Sequence, residues 1–334
     1  MQTTFFMKEI NDSMGKFLAK RLGVALIVLF GVSVIVFTLI HLQPGNPYLN
    51  MIDPNVPPEV VEQKLRVLGY YDPIPLQYLK WIGRAIVGDF GYSTQYNAPA
   101  FSIIVEALKN TLLISIVSFI LSSILAIVVG VITAAKSKTW IDYIVTFLSF
   151  VGISMPTFFF GLLIVKWLGY DLAILPSSGM ETLTASYTGF ERVIDIIKHM
   201  IMPVIVLSLT QTATLLRYTR SSMLDSLNKD YMRTAQAKGL TRNKAVWTHG
   251  LRNSMISIIT VLCMQLPALV SGALITETVF VWPGIGTLNY NAIMNRDYML
   301  IMGITMLIAV VIVVANIIAD ILYAIADPRI RLSQ

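Results

Sequence analysis

Few residues in this chain have the types and the spacing that catalysis requires. The segment at residues 130–137, GVITAAKS, differs from a phosphate-binding loop at one position, because Ala135 stands where the second glycine belongs. A phosphate-binding loop lies between a strand and a helix, whereas this segment ends a long apolar run. The histidines, His41, His199 and His249, lack the spacing of a helical zinc motif. We therefore predict a chain that is not an enzyme and that holds no cofactor or metal.

The longest strongly basic segment, DYMRTAQAKGLTRNKAVWTHGLRNS, occupies residues 230–254. Apolar residues at helical spacing predict a helix over residues 223–238 with one buried face. These apolar residues are Leu224, Leu227, Tyr231 and Ala235. The opposite face is charged, with Asp225, Lys229 and Arg233 at successive four-residue steps. We expect Gly239 to end this helix, because glycine readily takes the left-handed conformation of a C-terminal cap.

A second helix is predicted after Gly239, with Thr241 as its N-cap. Its apolar stripe consists of Trp247, Leu251, Met255 and Ile258, and it continues into a long apolar run. A force applied to the first helix could therefore reach a membrane-spanning segment through Gly239. The alternative is a solvated loop whose positive charges only set the membrane topology. The helical stripe and the glycine favour docking to a partner.

Apolar runs elsewhere in the chain predict a membrane protein. The chain is 55% hydrophobic and 13% charged, whereas a soluble domain is roughly 25% charged. Six runs are each near the ~20 residues that a spanning helix needs, although Pro156 and Lys166 interrupt the third. The runs cover residues 22–42, 111–135, 143–168, 200–216, 255–276 and 299–323. We predict an all-α integral membrane protein with six transmembrane helices.

The distribution of lysine and arginine predicts that both termini are cytoplasmic. With six spans and the N-terminus inside, the cytoplasmic segments hold sixteen lysine and arginine residues, whereas the short external loops hold only Arg192, Lys198 and Arg296. The long external segment at residues 43–110 is left out of this comparison, because long loops cross the membrane largely regardless of charge. The net charge of +6 then reflects membrane topology rather than nucleic-acid binding. The segment at about residues 43–110 is predicted to form an external subdomain. We divide the chain into residues 1–110, which hold the first span and this subdomain, and residues 111–328, which hold five spans and the cytoplasmic loop at about 220–255.

Polar residues within the spans are candidates for a transport pathway. Gln211, Gln265 and Asn316 could line such a pathway or could instead form hydrogen bonds between helices. The deepest acidic residues, Glu277 and Asp320, are each near the end of a span, where a charge costs little. Both readings of these polar residues stay open at this point.

The segment FVWPGIGTL at residues 280–288 is predicted to cap an external mouth, with an ordinary turn as the alternative. Phe280 and Trp282 would suit anchors at the membrane interface. The residues assigned to this mouth are Glu277, Trp282, Pro283 and Gly284.

The basic segment closely resembles the cytoplasmic EAA loop of ABC importer permeases, in the form that oligopeptide and dipeptide systems use. The resemblance covers nearly the whole chain, which looks like the B-type permease subunit. Further similar segments are LGYYDPIPLQYLKWIGRAIVGDFGYS at residues 68–93, GISMPTFFFGLL at 152–163, LITETVFVWPGIGTLNYNAI at 274–293, RDY from Arg296 and DPRIRL near the end. The resemblance implies the type I ABC importer permease fold, which is also called MetI-like.

This resemblance also implies partners. A second, homologous permease would form a heterodimer with this chain around the pathway, and two cytoplasmic ATPases would bind ATP and magnesium. An extracytoplasmic binding protein would deliver peptide, and the complex would lie in the lipid of the cytoplasmic membrane of a prokaryote. The loop residues that would couple to an ATPase are Tyr231, Arg233, Ala235, Lys238, Gly239, Thr241, His249 and Arg252.

The loop departs from the general EAA pattern at three positions. Arg233 and Thr234 stand at the Glu-Ala positions, a change that the peptide branch tolerates, and Ser257 stands where many relatives carry proline. A serine there would let the fifth span begin without a fixed bend. Importers of nickel or glutathione use permeases of similar pattern, and a channel or scaffold without an ATPase is the alternative from another class.

Overall fold

The computed structural model describes residues 2–43, 57–271 and 273–326. Its regular structure is helical apart from one short hairpin in the described part, formed by β1 (Tyr92–Ser93) and antiparallel β2 (Ala98–Pro99). Two π-helical turns, Val165–Asp171 and Val246–Gly250, follow α6 and α9 directly. The helices are α1 (Gln2–His41), α2 (Pro58–Leu68), α3 (Ile74–Ile86), α4 (Ala100–Ala135), α5 (Trp140–Ser154), α6 (Thr157–Ile164), α7 (Gly189–Leu227), α8 (Asp230–Ala237), α9 (Arg242–Ala245), α10 (Leu251–Gln265), α11 (Ala268–Ser271), α12 (Leu274–Phe280), α13 (Ile285–Met294) and α14 (Tyr298–Ala326).

Four of the described helices are long and apolar enough to cross a membrane: α1 over Ala19–His41, α4, α7, and α14 over Tyr298–Tyr323. Four of the predicted apolar runs coincide with or lie within these helices to within a residue. The helices extend beyond several of the runs, and α7 is 39 residues long against the short run at 200–216. Length and hydropathy therefore agree with an all-α membrane protein.

The third and fifth predicted runs are broken helices. α5 and the segment that begins with α6 meet at an angle of 102°. The break falls at Pro156, because proline lacks an N–H group and drives the preceding Met155 into an extended conformation, with φ −78° and ψ 123°. The fifth run is divided among α10, α11 and α12, with Pro267 beside the first break. The six-span count and the cytoplasmic placement of the termini stay predictions.

The chain forms two compact units, and the first comprises the described residues of 1–109 and 284–313. Its core gathers buried side chains from α1, α3, α4, α13 and α14. Aromatic residues contribute much of this core, and Phe37 lies against both Tyr78 and Trp81. Gly303 allows close packing in this core, because a Cβ atom there would lie 2.7 Å from Ile104 Cδ1 and 3.0 Å from Phe90 Cβ.

Asp297 organises the first unit with one buried carboxylate. Its Oδ1 accepts a hydrogen bond from the Leu300 amide at 3.2 Å, which caps the start of α14. Its Oδ2 accepts hydrogen bonds from the Ser93 hydroxyl at 2.6 Å and from the Gln95 amide at 3.2 Å. Asp297 therefore joins the helix terminus to the β1–β2 hairpin.

We expect Asp297→Ala to lower the stability of the folded protein by about 3 kcal/mol, because it removes a helix cap and leaves a buried hydroxyl without its acceptor. Thermal unfolding in detergent measures this loss. Asp72→Ala is the control, since Asp72 pairs with Lys80 at the surface, and exposed ion pairs contribute about 1 kcal/mol or less. Equal losses in both variants would contradict the role assigned to Asp297.

The second unit comprises the described residues of 110–283 and 314–334, and α7 is its central helix. α7 packs against α5, α6, α10 and α12. It also approaches α4 closely at Gly130, where a Cβ atom would lie 2.8 Å from Thr219 Cβ. The glycine of the segment that resembles a phosphate-binding loop therefore serves helix packing. All the loop residues with a predicted coupling role belong to this unit.

Candidate functional site: the helical hairpin of α8 and α9

Residues 223–238, which were predicted to form one helix, instead contain the end of α7 and the whole of the short helix α8. α7 ends at Leu227, Lys229 is extended with φ −84° and ψ 153°, and α8 begins at Asp230. The reason is that Met223 and Met232 are both buried. Nine residues at 100° per residue place them on opposite faces of a straight helix, so a single helix could not bury both.

Gly239 ends α8 in the left-handed conformation, as the sequence predicts, with φ +89°. The Leu240 amide donates to the Ala235 carbonyl at 3.2 Å, and the Gly239 amide donates to the Gln236 carbonyl at 2.9 Å. These two bonds form a Schellman motif, which satisfies the last carbonyl groups of the helix. The chain therefore reverses direction at a defined residue.

The second helix continues into α10 without a break, as predicted, and Thr241 holds its N-cap position. Thr241 acts there through its backbone, because its carbonyl accepts the Ala245 amide at 2.9 Å and its side chain makes no capping bond. The predicted apolar stripe is shifted, since Trp247 is 44% exposed. The buried residues are Val246, Gly250, Ser254 and Ile258. The π-helical turn causes the shift, because it holds more residues per turn than an α-helix.

Serine hydroxyl groups join the end of α7 to α8, to the π-helical turn and to α10. The Ser226 hydroxyl donates to the Gly250 carbonyl at 2.9 Å and lies 2.6 Å from the Tyr231 hydroxyl. The Ser254 hydroxyl donates to the Ser222 carbonyl at 3.1 Å. These contacts link the end of α7, the start of α8 and the π-helical turn. The sequence offered a signal that was missed: serines four residues apart in α7.

Glycine at position 250 allows this close approach. A Cβ atom there would lie 3.2 Å from Leu227 Cδ2 and 3.3 Å from Met223 Cε. Beside it, Met232 and Ala235 of α8 pack against Ala245 of the second helix in a small apolar cluster. The hairpin of α8 and α9 is therefore packed onto the membrane helices rather than being a solvated loop.

We expect Ser226→Ala to loosen α8 from the end of α7 and from the π-helical turn, because it removes both the bond to the Gly250 carbonyl and the partner of the Tyr231 hydroxyl. The change costs about 1–2 kcal/mol locally, so amide hydrogen exchange in α8 should rise by roughly tenfold. Hydrogen–deuterium exchange with mass spectrometry measures it. Ser102→Ala, which removes a side-chain bond to the Pro99 carbonyl in the first unit, is the control. Unchanged exchange in α8 would contradict the role of Ser226.

The outward face of the hairpin is exposed and basic. Of the predicted coupling residues, Ala235 is buried and His249 is half-buried, while the other six are exposed. Asp230 and Arg233 lie 3.8 Å apart, but both side chains are at least 85% exposed, so their attraction is weak. The exposed residues with positive charge are Lys229, Arg233, Lys238, Arg242, Lys244 and Arg252. This face is available to a partner with acidic or polar groups.

The predicted external mouth is a turn with the Trp282 side chain buried beneath it, whereas Val281 and Pro283 are exposed. Trp282 is 0% exposed, and its indole N–H donates to the Asn110 carbonyl at 3.0 Å. The Asn110 side chain in turn donates to the Pro283 carbonyl at 2.9 Å. Phe280 is also buried, so the expectation that Phe280 and Trp282 are anchors at the membrane interface is wrong. Gly284 is buried too and precedes α13.

Glu277 is fully buried, so the expectation that it lies near the end of a span where a charge costs little is wrong. The Thr111 hydroxyl donates to its Oε1 at 2.5 Å. This position follows from the break in the fifth span. Glu277 lies inside the short helix α12, next to the turn, whereas in one straight helix over the predicted run it would come after the last helical residue. A buried polar group of this kind is stable only when it is hydrogen-bonded.

The three pathway candidates lie on separate helices. The Ser122 hydroxyl donates to Gln211 Oε1 at 3.1 Å, which is the bond between helices considered as the alternative. Gln265 ends α10 beside the break at Pro267, and its Oε1 atom is buried without a hydrogen-bond partner among the described residues. Asn316 is exposed on α14.

The fold and the site together define a class: a multi-pass helical membrane protein with a packed helical hairpin that continues into a broken membrane helix. Comparison with known proteins identifies the class more closely. The chain matches two family models, "Binding-protein-dependent transport system inner membrane component" over residues 126–332 and its N-terminal counterpart over residues 14–115.

Similar proteins support this match over nearly the full length. The oligopeptide transport system permease protein AppB of Bacillus subtilis is 41% identical over 319 residues, which cover 95% of this chain and 100% of AppB. The dipeptide transport system permease protein DppB of Escherichia coli K12 is 35% identical over 334 residues, covering 95% and 98%. The inward-facing MetNI methionine ABC transporter has a TM-score of 0.52 at 14% identity, covering 67% of this chain and 96% of that one.

The chain therefore belongs to the family of binding-protein-dependent transport system inner membrane components. Its fold is that of a type I ABC importer permease, as the resemblance in the sequence predicts. It is the membrane component of an ABC importer.

Proposed function

We propose that this chain is one of two homologous permease subunits of an ATP-driven peptide importer in the cytoplasmic membrane of a prokaryote. An extracytoplasmic binding protein delivers peptide, and two cytoplasmic ATPases bind and hydrolyse ATP with magnesium. The peptide relatives, similar over nearly the whole chain, support the substrate class. Residues 1–110 supply the first span and the external subdomain, and residues 111–328 supply the pathway and the coupling loop.

The observation that carries this proposal is the packed hairpin of α8 and α9. Its outward face is exposed and basic, while its inner face packs on the ends of membrane helices. ATP-driven closure of the ATPase pair displaces α8, and the Ser226 contacts and the helix that continues through Gly250 carry this displacement into α10. The pathway then changes from inward-facing to outward-facing, and peptide passes without chemical change.

The broken helices provide the other parts of the pathway. The turn at Glu277, Trp282, Pro283 and Gly284 forms the external mouth, with Glu277, Trp282 and Gly284 buried in protein and Pro283 exposed. Gln265 contributes a buried carbonyl oxygen at the break of the fifth span. We assign Gln265 to the pathway in preference to Gln211, because the Gln211 side chain already accepts a hydrogen bond from Ser122.

Purification from native membranes followed by reconstitution tests the function. We expect ATP-binding subunits and a second permease to copurify, and proteoliposomes to take up labelled di-, tri- and pentapeptides only with ATP and the binding protein. Nickel and glutathione in the same assay distinguish importers of similar pattern. Transport that survives ATP depletion, in a preparation without ATPase subunits, would indicate a channel or scaffold instead.

A further inference from the structure

An ion pair outside the coupling hairpin joins the cytoplasmic ends of α5 and α7. Arg220 donates from Nε to Asp142 Oδ1 at 2.7 Å and from Nη2 to Asp142 Oδ2 at 2.8 Å. The Asp142 side chain is 4% exposed and that of Arg220 is 28% exposed. Two parallel charge-assisted bonds fix orientation as well as distance, so the two helices cannot rotate independently at this point.

The same carboxylate holds the turn between α4 and α5. The Lys138 amide donates to Asp142 Oδ2 at 3.0 Å, and Lys138 has a left-handed conformation with φ +64°. Asp142 therefore receives three donors from two directions. Displacement of α7 acts on the turn and on α5 together.

Arg220 occupies the face of α7 opposite the hairpin contacts. Ser222 and Ser226, which contact α10 and its π-helical turn, are two and six residues further along, and at 100° per residue both lie well over 100° around the helix from Arg220. The cytoplasmic end of α7 is thus held on one side by the coupling hairpin and α10, and on the other by α5.

α5 leads from this ion pair toward the external turn. After the bend at Pro156, α6 packs against α12, where a Cβ atom on Gly161 would lie 3.2 Å from Val279 Cγ1 and 3.5 Å from Phe280 Cε2. Ile164 and Phe280 share one apolar cluster with Met202 of α7. Packed elements therefore connect the Asp142–Arg220 pair with the turn that begins after Phe280.

We propose that Asp142 and Arg220 are positioning residues for transport, which make the cytoplasmic ends of α5 and α7 move together when α8 is displaced. Through this pair, the movement of α7 that follows from ATP hydrolysis is transmitted to α5, α6 and the external turn. This inference rests on the function proposed above. It assigns Asp142 and Arg220 no contact with peptide or ATP.

The test is the coupling ratio, the number of peptides taken up per ATP hydrolysed, in the reconstituted complex with its ATPases and binding protein. We expect Asp142→Asn to lower this ratio roughly tenfold, within the usual range of coupling between sites, while ATP hydrolysis continues. The double variant Asp142→Asn with Arg220→Gln leaves no unpaired buried charge, and it should show the same low ratio. The exchanged pair, Asp142→Arg with Arg220→Asp, restores the attraction between α5 and α7 but not the bond from the Lys138 amide, so this variant should recover part of the ratio.

Glu62→Gln is the matched control, because it removes a carboxylate from an exposed arginine pair with Arg66 in the first unit. Its coupling ratio should equal that of the unaltered protein. A normal ratio in the neutral double variant would overturn the proposal, and so would failure of both double variants to reach the membrane, since the pair would then serve folding alone. If the unaltered complex showed no ATP-driven peptide uptake, the proposed function itself would fail.

Discussion

Replacement of Gly239 by proline is expected to abolish peptide-stimulated ATP hydrolysis and uptake while the protein still inserts into the membrane. Proline fixes φ near −65°, whereas Gly239 has φ +89°, and it removes the amide that donates to Gln236. The residue before it, Lys238, has ψ 11°, which a following proline disfavours. The Schellman motif is lost at a cost of about 3 kcal/mol or more, and α8 no longer packs on α9. Uptake by proteoliposomes measures the effect.

Gly189→Pro is the control for this prediction. Gly189 also has a positive φ, +56°, and a Cβ atom there would meet nothing within 4 Å, as at Gly239. Both variants therefore force proline into a positive-φ position. They differ in location, because Gly189 is the first residue of α7 and lies far along the chain from the hairpin. Uptake should persist in Gly189→Pro. Normal uptake in Gly239→Pro would contradict the role of the hairpin.

Replacement of Trp282 by alanine is expected to cost about 3–5 kcal/mol of folding stability, the range for emptying the site of a large buried aromatic side chain. Trp282 packs in an apolar cluster with Ile114, Met200 and Val204, and its N–H group donates to Asn110. The variant loses this packing and this bond together. Thermal unfolding of the purified protein in detergent should show a much lower midpoint.

Trp140→Ala provides the comparison, because the Trp140 side chain is 70% exposed in this chain. We expect its unfolding midpoint to change little. If Trp282 were an anchor at the membrane interface, as its sequence context suggests, both variants would be equally mild in detergent, where no bilayer interface exists. That result would contradict the buried turn.

Local sequence patterns predicted the features that depend on local physics. The apolar runs predicted the long helices, since length and hydropathy alone decide whether a helix spans a membrane. Gly239 was predicted as a helix end because a left-handed residue is needed there. The continuity of the second helix with α10 followed from an uninterrupted apolar stripe.

Features that depend on tertiary packing could not be predicted in the same way. The break at Lys229 arises because Met223 and Met232 meet different partners, Val131 and Ala245, which no helical wheel contains. The π-helical turn at Val246–Gly250 shifts the buried stripe by one residue. The burial of Glu277 likewise required the contact with Thr111, which is 166 residues away in the sequence.

The Asp142–Arg220 pair shows the same limit for charged residues. The two residues are separated by 78 positions, and each alone looks like an ordinary charge at the cytoplasmic end of a span. Their bidentate contact and the burial of Asp142 become visible only when α5 and α7 pack together. A pair of this kind is found by geometry, because spacing along the chain carries no signal of it.

Cross-linking from the exposed face of α8 tests the central claim most directly. With Cys263→Ala as the background, Arg233→Cys places a single thiol on a side chain that is 85% exposed. A short bifunctional reagent in native membranes should join this thiol to an ATP-binding subunit, and the yield should change when ATP is added. Leu183→Cys, on a side chain that is 99% exposed in the predicted external segment, should give no such product. Absence of the ATP-binding subunit from the Arg233→Cys product, in membranes that carry out ATP-driven uptake, would contradict the account.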